Sequence, residues 1–191
     1  ANPRISGWLA EYSRCYPAVK LELDLSNRHV DLIADGFDLA LRVSNEPHPS
    51  LIVRPLADIE FFLVAAPEYL RRHGVPRTPA EAQEHPAVLP SYVNVGQIDI
   101  RHSDGSVASL ALQPAMRSDS TLMVGSLIRA GCGIGYQPAW CVEEDLQAGR
   151  LVRLLPAYQI LTTRLYAAYV DRTFLSAKVR SLIDFLDARM K

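Results

Sequence analysis

Phe61-Phe-Leu-Val-Ala-Ala-Pro-Glu-Tyr-Leu-Arg-Arg-His-Gly74 decides the fold class. Phe61 to Ala66 is an apolar run of strand length. It passes directly into Pro67, whose fixed φ and missing N–H suit the first position of a helix. Gly74 supplies that helix with its stop. Downstream, Thr78-Pro-Ala-Glu81 spells a capping box with a threonine N-cap, proline at N1 and glutamate at N3. The short helix it opens ends near His85-Pro86, and Ala87 to Leu89 reads as the next strand. Upstream, Leu51 to Pro55 and Asp38 to Val43 read as strands on either side of the turn-rich loop Asn45-Glu-Pro-His-Pro-Ser50.

The same alternation continues toward both ends. Ile5, Trp8, Leu9 and Tyr12 fall at i, i+3, i+4 and i+7, one apolar helix stripe that Pro17 closes. Val19, Leu21, Leu23 and Leu25 alternate with polar residues, the pattern of a strand with one wet face. Val30 to Ala34 reads as a short helix stopped by Gly36. Ser103-Asp-Gly-Ser106 between Ile98–His102 and Val107–Leu112 signals a hairpin. Ser118, Asp119 or Ser120 caps a helix running to Gly131 after a short strand around Met116. Ile134 to Gln137 reads as a strand, and Pro138 opens a helix that stops near Gly149. Leu165 to Val170 reads as a strand, and Ser176 caps a last helix with Val179, Leu182, Ile183 and Leu186 on one face. Strands alternating with helices indicate an α/β protein, with largely parallel pairing interrupted by the hairpin near residue 104.

Composition narrows the function. The 191 residues carry 20 Lys+Arg against 21 Asp+Glu, a net charge of −1, and 49% are hydrophobic. This is an ordinary globular balance, long enough for one large domain or two small lobes. It argues against a free-standing nucleic-acid-binding domain, which carries a basic excess. No apolar run reaches the length of a membrane span, and no signal peptide opens the chain. The cysteines at 15, 132 and 141 form neither a disulfide framework nor a paired zinc motif, so a cytoplasmic setting is expected.

Catalytic and metal constellations are weak. The histidines at 29, 48, 73, 85 and 102 are isolated, and none makes a paired-ligand motif on a helix. No Gly-x-Ser-x-Gly elbow occurs. Gly131-Cys-Gly-Ile-Gly135 has the glycines of a nucleotide loop in the wrong order, because a helix precedes them and a strand follows. Gly131 is then a helix stop and the other glycines allow tight backbone passage. Asp31, Asp35 and Asp38 lack the spacing of a calcium loop. No enzyme activity, metal or cofactor is read from these residues.

A binding pattern survives. In open α/β sheets, ligands sit at the carboxyl ends of strands and near helix N-termini. Arg42-Val43-Ser44 ends one strand, Leu89-Pro-Ser91-Tyr92 ends another, and Ser118-Asp119-Ser120-Thr121 opens a helix. Their convergence on one cleft would favour an anionic ligand. The alternatives are that Ser118 to Thr121 only cap their own helix and that Arg42 only pairs with a neighbouring acid.

Taken in order, these segments resemble the effector-binding (regulatory) domain of LysR-type transcriptional regulators. The resemblance is carried by residues 12–25, by Asp31-Leu-Ile-Ala-Asp-Gly-Phe-Asp-Leu-Ala-Leu-Arg42, by Ser50 to Leu56 and by Ala65 to Gly74. It returns in Ala130 to Pro138, Leu146 to Pro156 and Ser176 to Leu186. It implies a periplasmic-binding-protein-like α/β fold with mixed sheets, two lobes and an interlobe cleft. Lobe one would be 1–63 plus 166–191, with its first strand absent before Ala1, and lobe two 64–165. A small effector in the cleft would shift the oligomer's arrangement on DNA. The implied effector site is Arg42, Val43, Ser44, Ser91, Tyr92, Asp119, Ser120, Gly133 and Ile134.

Family dimers imply contacts from Trp8, Tyr12, Met123 and Leu127, in a homodimer or tetramer. The alternative for those four is that they face their own core. DNA would be bound only through the winged helix-turn-helix that family members carry and this chain lacks. No membrane partner is implied. The competing reading is a solute-binding protein of the same fold.

Overall fold

The Ile5–Tyr12 stripe forms helix α1 (Pro3–Cys15). A computed structural model describes residues 3–25, 31–44, 51–91, 97–170 and 175–190. After α1 come β1 (Ala40–Ser44), β2 (Ile52–Ala65), α2 (Pro67–His73), α3 (Pro79–Gln83), β3 (Pro86–Pro90), β4 (Ile98–His102) and β5 (Val107–Leu110). Then follow β6 (Gln113–Ser118), α4 (Thr121–Arg129), β7 (Gly135–Pro138), α5 (Ala139–Gln147), β8 (Val152–Leu154), β9 (Tyr158–Gln159), β10 (Leu161–Tyr169) and α6 (Ala177–Met190). The chain divides into two units, 1–59 with 163–191 and 60–162. It passes from one to the other within β2 and returns within β10.

Unit one is built on Tyr12. Its side chain is fully buried, edge-on to Phe185 with ring centroids 5.2 Å apart. Its hydroxyl donates to the Lys178 carbonyl at 3.2 Å and lies 2.7 Å from Ser181 Oγ. Leu56, Ile59, Leu165, Val179, Ile183 and Leu186 are also buried in this unit. Arg54 ties β2 to the outer side of α6 through Asp184 (2.6 Å) and Asp187 (2.7 Å). Tyr12→Phe should cost about 1 kcal/mol, the net worth of a part-buried hydroxyl bond, with the ring packing retained. Urea unfolding checks this, and a loss near 3 kcal/mol would mean that the ring itself had moved.

Two stretches of unit one differ from their sequence reading. Residues 19–25 alternate as a strand should, yet no pairing forms there among the described residues. Leu23 and Leu25 stand 58% and 68% exposed as a result. The segment 31–37 is a capped turn rather than a helix. Asp31 Oδ1 accepts from the Ile33 and Ala34 amides, and Gly36 turns at φ 73°. Val30 and residues 45–50 lie outside the described residues.

Unit two is layered around strands buried on both faces. On β2, Leu63 and Ala65 enter one core cluster with Tyr69, Leu89, Ile100, Ile134 and Leu154. Val64 between them enters another with Val88, Val124, Ile128 and Val142. That two-sided burial explains why Ala87-Val-Leu89 is apolar throughout rather than alternating. Thr78 caps α3, its Oγ1 accepting from the Glu81 amide at 3.2 Å.

The expectation of largely parallel pairing is corrected. Among the described residues, β3 with β6 is parallel, as is a bridge between Ala87 and Ile134. β1 with β10, β2 with β7 and with β8, and β4 with β5 and with β9 are antiparallel. The order of elements suggested crossovers, but β7 and β8 run back along β2 instead.

Leu155 is the non-glycine residue with left-handed backbone among the described residues, at φ 47°, and its side chain is buried. Such a backbone costs an L-residue roughly 1–2 kcal/mol.

Candidate functional site

The parallel pairing of β3 with β6 places two strand ends side by side. Pro90 stands opposite Ser118, and the Ser91 amide donates to the Ser118 carbonyl at 2.9 Å. From there the chain turns straight into α4. Ser118 Oγ accepts from the Ser120 amide at 3.1 Å, and Ser120 Oγ accepts from the Met123 amide at 3.3 Å. Ser91, Ser118, Asp119 and Ser120 therefore meet at the carboxyl ends of two parallel strands and at a helix N-terminus. This is where α/β sheets present backbone donors to anions. The cap uses one lone pair of the Ser120 hydroxyl and leaves its O–H able to donate.

Sequence reasoning missed one member of this cluster. Arg117, the penultimate residue of β6, donates from Nη2 to the Pro90 carbonyl at 3.4 Å, which puts a cation beside Ser91. The signal was present: Arg117-Ser118 ends its strand much as Arg42-Val-Ser44 ends β1. Tyr92 lies outside the described residues.

Gly133 and Ile134 stand elsewhere. The Ile134 amide donates to the Pro86 carbonyl at 3.0 Å, at the start of β3. Ser91 follows its far end, and the four steps along a strand make roughly 13 Å. Ile134 is fully buried in the core. The close backbone passage expected at Gly133 is real, but what it approaches is Pro86: an added Cβ would lie 2.3 Å from the Pro86 carbonyl oxygen. These two residues are removed from the cluster at the strand ends.

In unit one, Arg42, Val43 and Ser44 end β1, in register with Tyr166, Leu165 and Arg164 of β10. Val43 is 49% exposed, unusual for a valine in a strand. Of the four expected dimer residues, Met123 is 51% exposed, whereas Trp8 and Leu127 are half-buried. Tyr12 is fully buried inside its own unit, so its side chain has no free face for a partner.

The remaining chemistry is structural. Burial pushes the Cys141 thiol up to about 11, which keeps it protonated and inert near neutral pH. No group of three or more histidine, cysteine or carboxylate residues is placed to hold a metal among the described residues. No helix there is long and apolar enough to cross a membrane.

Comparison with known proteins agrees with this geometry. The LysR substrate binding domain family matches residues 1–191. The HTH-type transcriptional regulator DmlR of Escherichia coli K12 is 32% identical over 180 residues, covering 93% of this chain and 58% of the relative. The regulatory domain of CrgA, a LysR-type transcriptional regulator from Neisseria meningitidis, superposes with a TM-score of 0.86 at 26% identity. That match covers 98% of this chain and 92% of the other. Full-length AphB, a virulence activator from Vibrio cholerae, gives 0.82 at 26% identity, over 97% of this chain and 63% of that one. The chain spans about three fifths of the length of the curated relatives it matches. The mixed α/β architecture, the paired strand ends and the match over the whole chain lead to one assignment: this chain belongs to the LysR substrate-binding domain family, with its periplasmic-binding-protein-like fold.

Proposed function

We propose that the chain is the sensing part of a DNA-binding transcriptional regulator and takes a small anionic effector in the interlobe cleft. One wall would be Arg42, Val43 and Ser44 of a lobe made of 1–63 plus 166–191. The other would be Ser91, Tyr92, Asp119 and Ser120 of a lobe made of 64–165. The observation that carries this reading is the meeting of the Ser91 and Ser118–Ser120 segments at the N-terminus of α4, with Arg117 alongside. Partial positive charge at a helix start and a nearby guanidinium both favour an anion. The effector would bind two conformations unequally and so shift a homodimer or tetramer on DNA, in the cytoplasm. Trp8, Met123 and Leu127 are the proposed contacts between copies. DNA would be held by a separate N-terminal domain of the parent protein. The matched relatives are transcriptional regulators, which favours sensing over catalysis and over solute transport.

Among the described residues β1 pairs with β10 along one edge, and Leu23 and Leu25 stay uncovered. The test uses the full-length parent, because the chain spans about three fifths of its curated relatives. A thermal-shift screen against small carboxylates, amino acids and aromatic acids should return a dose-dependent hit. A ligand at a hundred times its Kd adds about 2.7 kcal/mol to stability. Calorimetry with that hit should then show roughly tenfold weaker binding for Arg42→Ala and for Ser120→Ala, about the worth of one charge-assisted bond each. Unchanged affinity in both variants rejects the placement.

A further inference from the structure

A cavity of about 450 Å³ lies wholly within unit two, between the β4–β5 hairpin and the turn joining β8 to β9. Arg101, His102, Arg153, Tyr158 and Glu60 contribute to its wall. Small-molecule sites occupy roughly 300–1,000 Å³, so it has room for a metabolite. None of its residues belongs to the strand-end cluster described above.

Two arginines make the wall distinctive. The Arg153 guanidinium lies 3.8 Å over the ring of Phe62, a cation–π contact that holds its charge at the wall. Its nearest carboxylate, Glu60, is 3.7 Å away, close enough for charge attraction but too far for a hydrogen bond. Arg101, exposed on β4 opposite Gln159, has no side-chain hydrogen bond or ion pair among the described residues. An arginine stacked on an aromatic ring and a second, exposed arginine therefore line a single cavity. Against them stands one lining carboxylate, so the wall keeps a net positive charge. His102 is anchored through Nδ1, 3.0 Å from Asp104 Oδ1, and its ring packs on Tyr158 at 4.8 Å between centroids.

The backbone supplies an independent observation. The left-handed Leu155 sits where the chain turns into this wall. The Tyr158 amide donates back to the Leu155 carbonyl at 2.9 Å, and the Ser103 amide donates to the Ala157 carbonyl at 2.9 Å, tying the turn to the hairpin. Strained backbone persists where surrounding structure over-determines it, and such residues concentrate at binding sites.

We propose that this cavity is a second binding site, for the oxyanion of a compact metabolite. Arg153 and Arg101 donate to a carboxylate or phosphate group, and Tyr158 packs against the rest of the molecule.

The test is an amide-resolved NMR titration of this chain with inorganic phosphate and, separately, with succinate, at fixed ionic strength set by chloride. The expected result is saturable shifts concentrated at residues 101–105 and 153–159 with at least one of the two. Phosphate alone points to a phosphorylated ligand, and succinate alone to an organic acid. Arg153→Gln and Arg101→Gln should each weaken that binding about tenfold. Arg101 is exposed, so its variant keeps the fold if Arg153→Gln does not. Overturning results are non-saturable or scattered shifts with both anions, or unchanged affinity in the Arg101→Gln protein.

Discussion

Alanine at position 133 should remove roughly 3 kcal/mol or more of stability, a loss that places it among the most damaging single substitutions in this domain. The reason is backbone meeting backbone. A Cβ on Gly133 would sit 2.3 Å from the Pro86 carbonyl oxygen and 3.1 Å from its carbonyl carbon. Neither atom can rotate away, because that oxygen already accepts from the Ile134 amide and the Val88 amide donates back to the Ile134 carbonyl at 2.8 Å. Relief requires β3 to part from residues 133–135, which opens the core on both faces of the strand. Gly135 is constrained in the same way, with Val88 O only 2.5 Å from an added Cβ. Gly105 gives the contrast. It has positive φ but open space around it, so Gly105→Ala should cost only about 1 kcal/mol. Urea unfolding of the three proteins side by side decides the matter, and equal losses for Gly133→Ala and Gly105→Ala would refute the steric account.

Asp145→Ala should cost about 2–3 kcal/mol at neutral pH. Asp145 is a carboxylate only 8% exposed, on α5. It accepts from Arg129 Nη1 of α4 at 2.9 Å and from Arg150 Nε at 2.5 Å. Its loss leaves two cations facing each other at the junction of two helices and the chain after α5. Breaking a buried pair costs about 3–5 kcal/mol, and the half-exposed arginines recover part of that from water. Burial alone would push the Asp145 carboxyl up. The hydrogen bonds from Arg150 and Arg129, together with their charges, outweigh it and hold the group below its ordinary 3.8. A depressed folded value means that the stabilisation is complete above the unfolded value and is lost as pH falls through the folded one. The gap between wild type and Asp145→Ala should therefore be full at pH 7 and shrink below about pH 4. A gap that stays constant down to pH 2.5 would show that packing, not charge, was lost.

Elements whose local signals agreed with their surroundings were legible in the sequence. The stripe from Ile5 to Tyr12, Pro67 opening α2, the Thr78 cap and the Ser103–Ser106 hairpin all survive, because each is decided within a few residues. Misreadings arose where a distant partner decides. β2 was expected as two strands, Leu51 to Pro55 and Phe61 to Ala66, with the charged Asp58 and Glu60 between them. In the fold those charges face outward and meet Arg164 at 2.7 Å and Arg153 at 3.7 Å, so one strand of 14 residues continues through them. β8 and β9 span three and two residues and exist because β2 and β4 pair with them. The opposite error occurred at 19–25, where a correct alternation found no ladder among the described residues. At the candidate site, short polar residues after an apolar run marked the strand ends. The separation of Gly133 from Ser91 depends on which end of β3 each one meets, and spacing along the chain does not record that.

The division of the chain also sets an order of assembly. Unit two is one continuous stretch, 60–162, and every residue of its two core clusters is made before residue 163 leaves the ribosome. Unit one cannot close until α6 arrives, since Tyr12 must find Ser181, 169 residues later. Local closure is fast, and long loops carry a larger entropic penalty. During synthesis residues 1–59 therefore wait, with α1 exposing the face that α6 will cover, while unit two folds behind them. A nascent chain stalled shortly after residue 162 should carry a protease-resistant core of unit two, with residues 1–59 still cleavable. In the finished molecule α6, made after unit two, completes a unit begun before it.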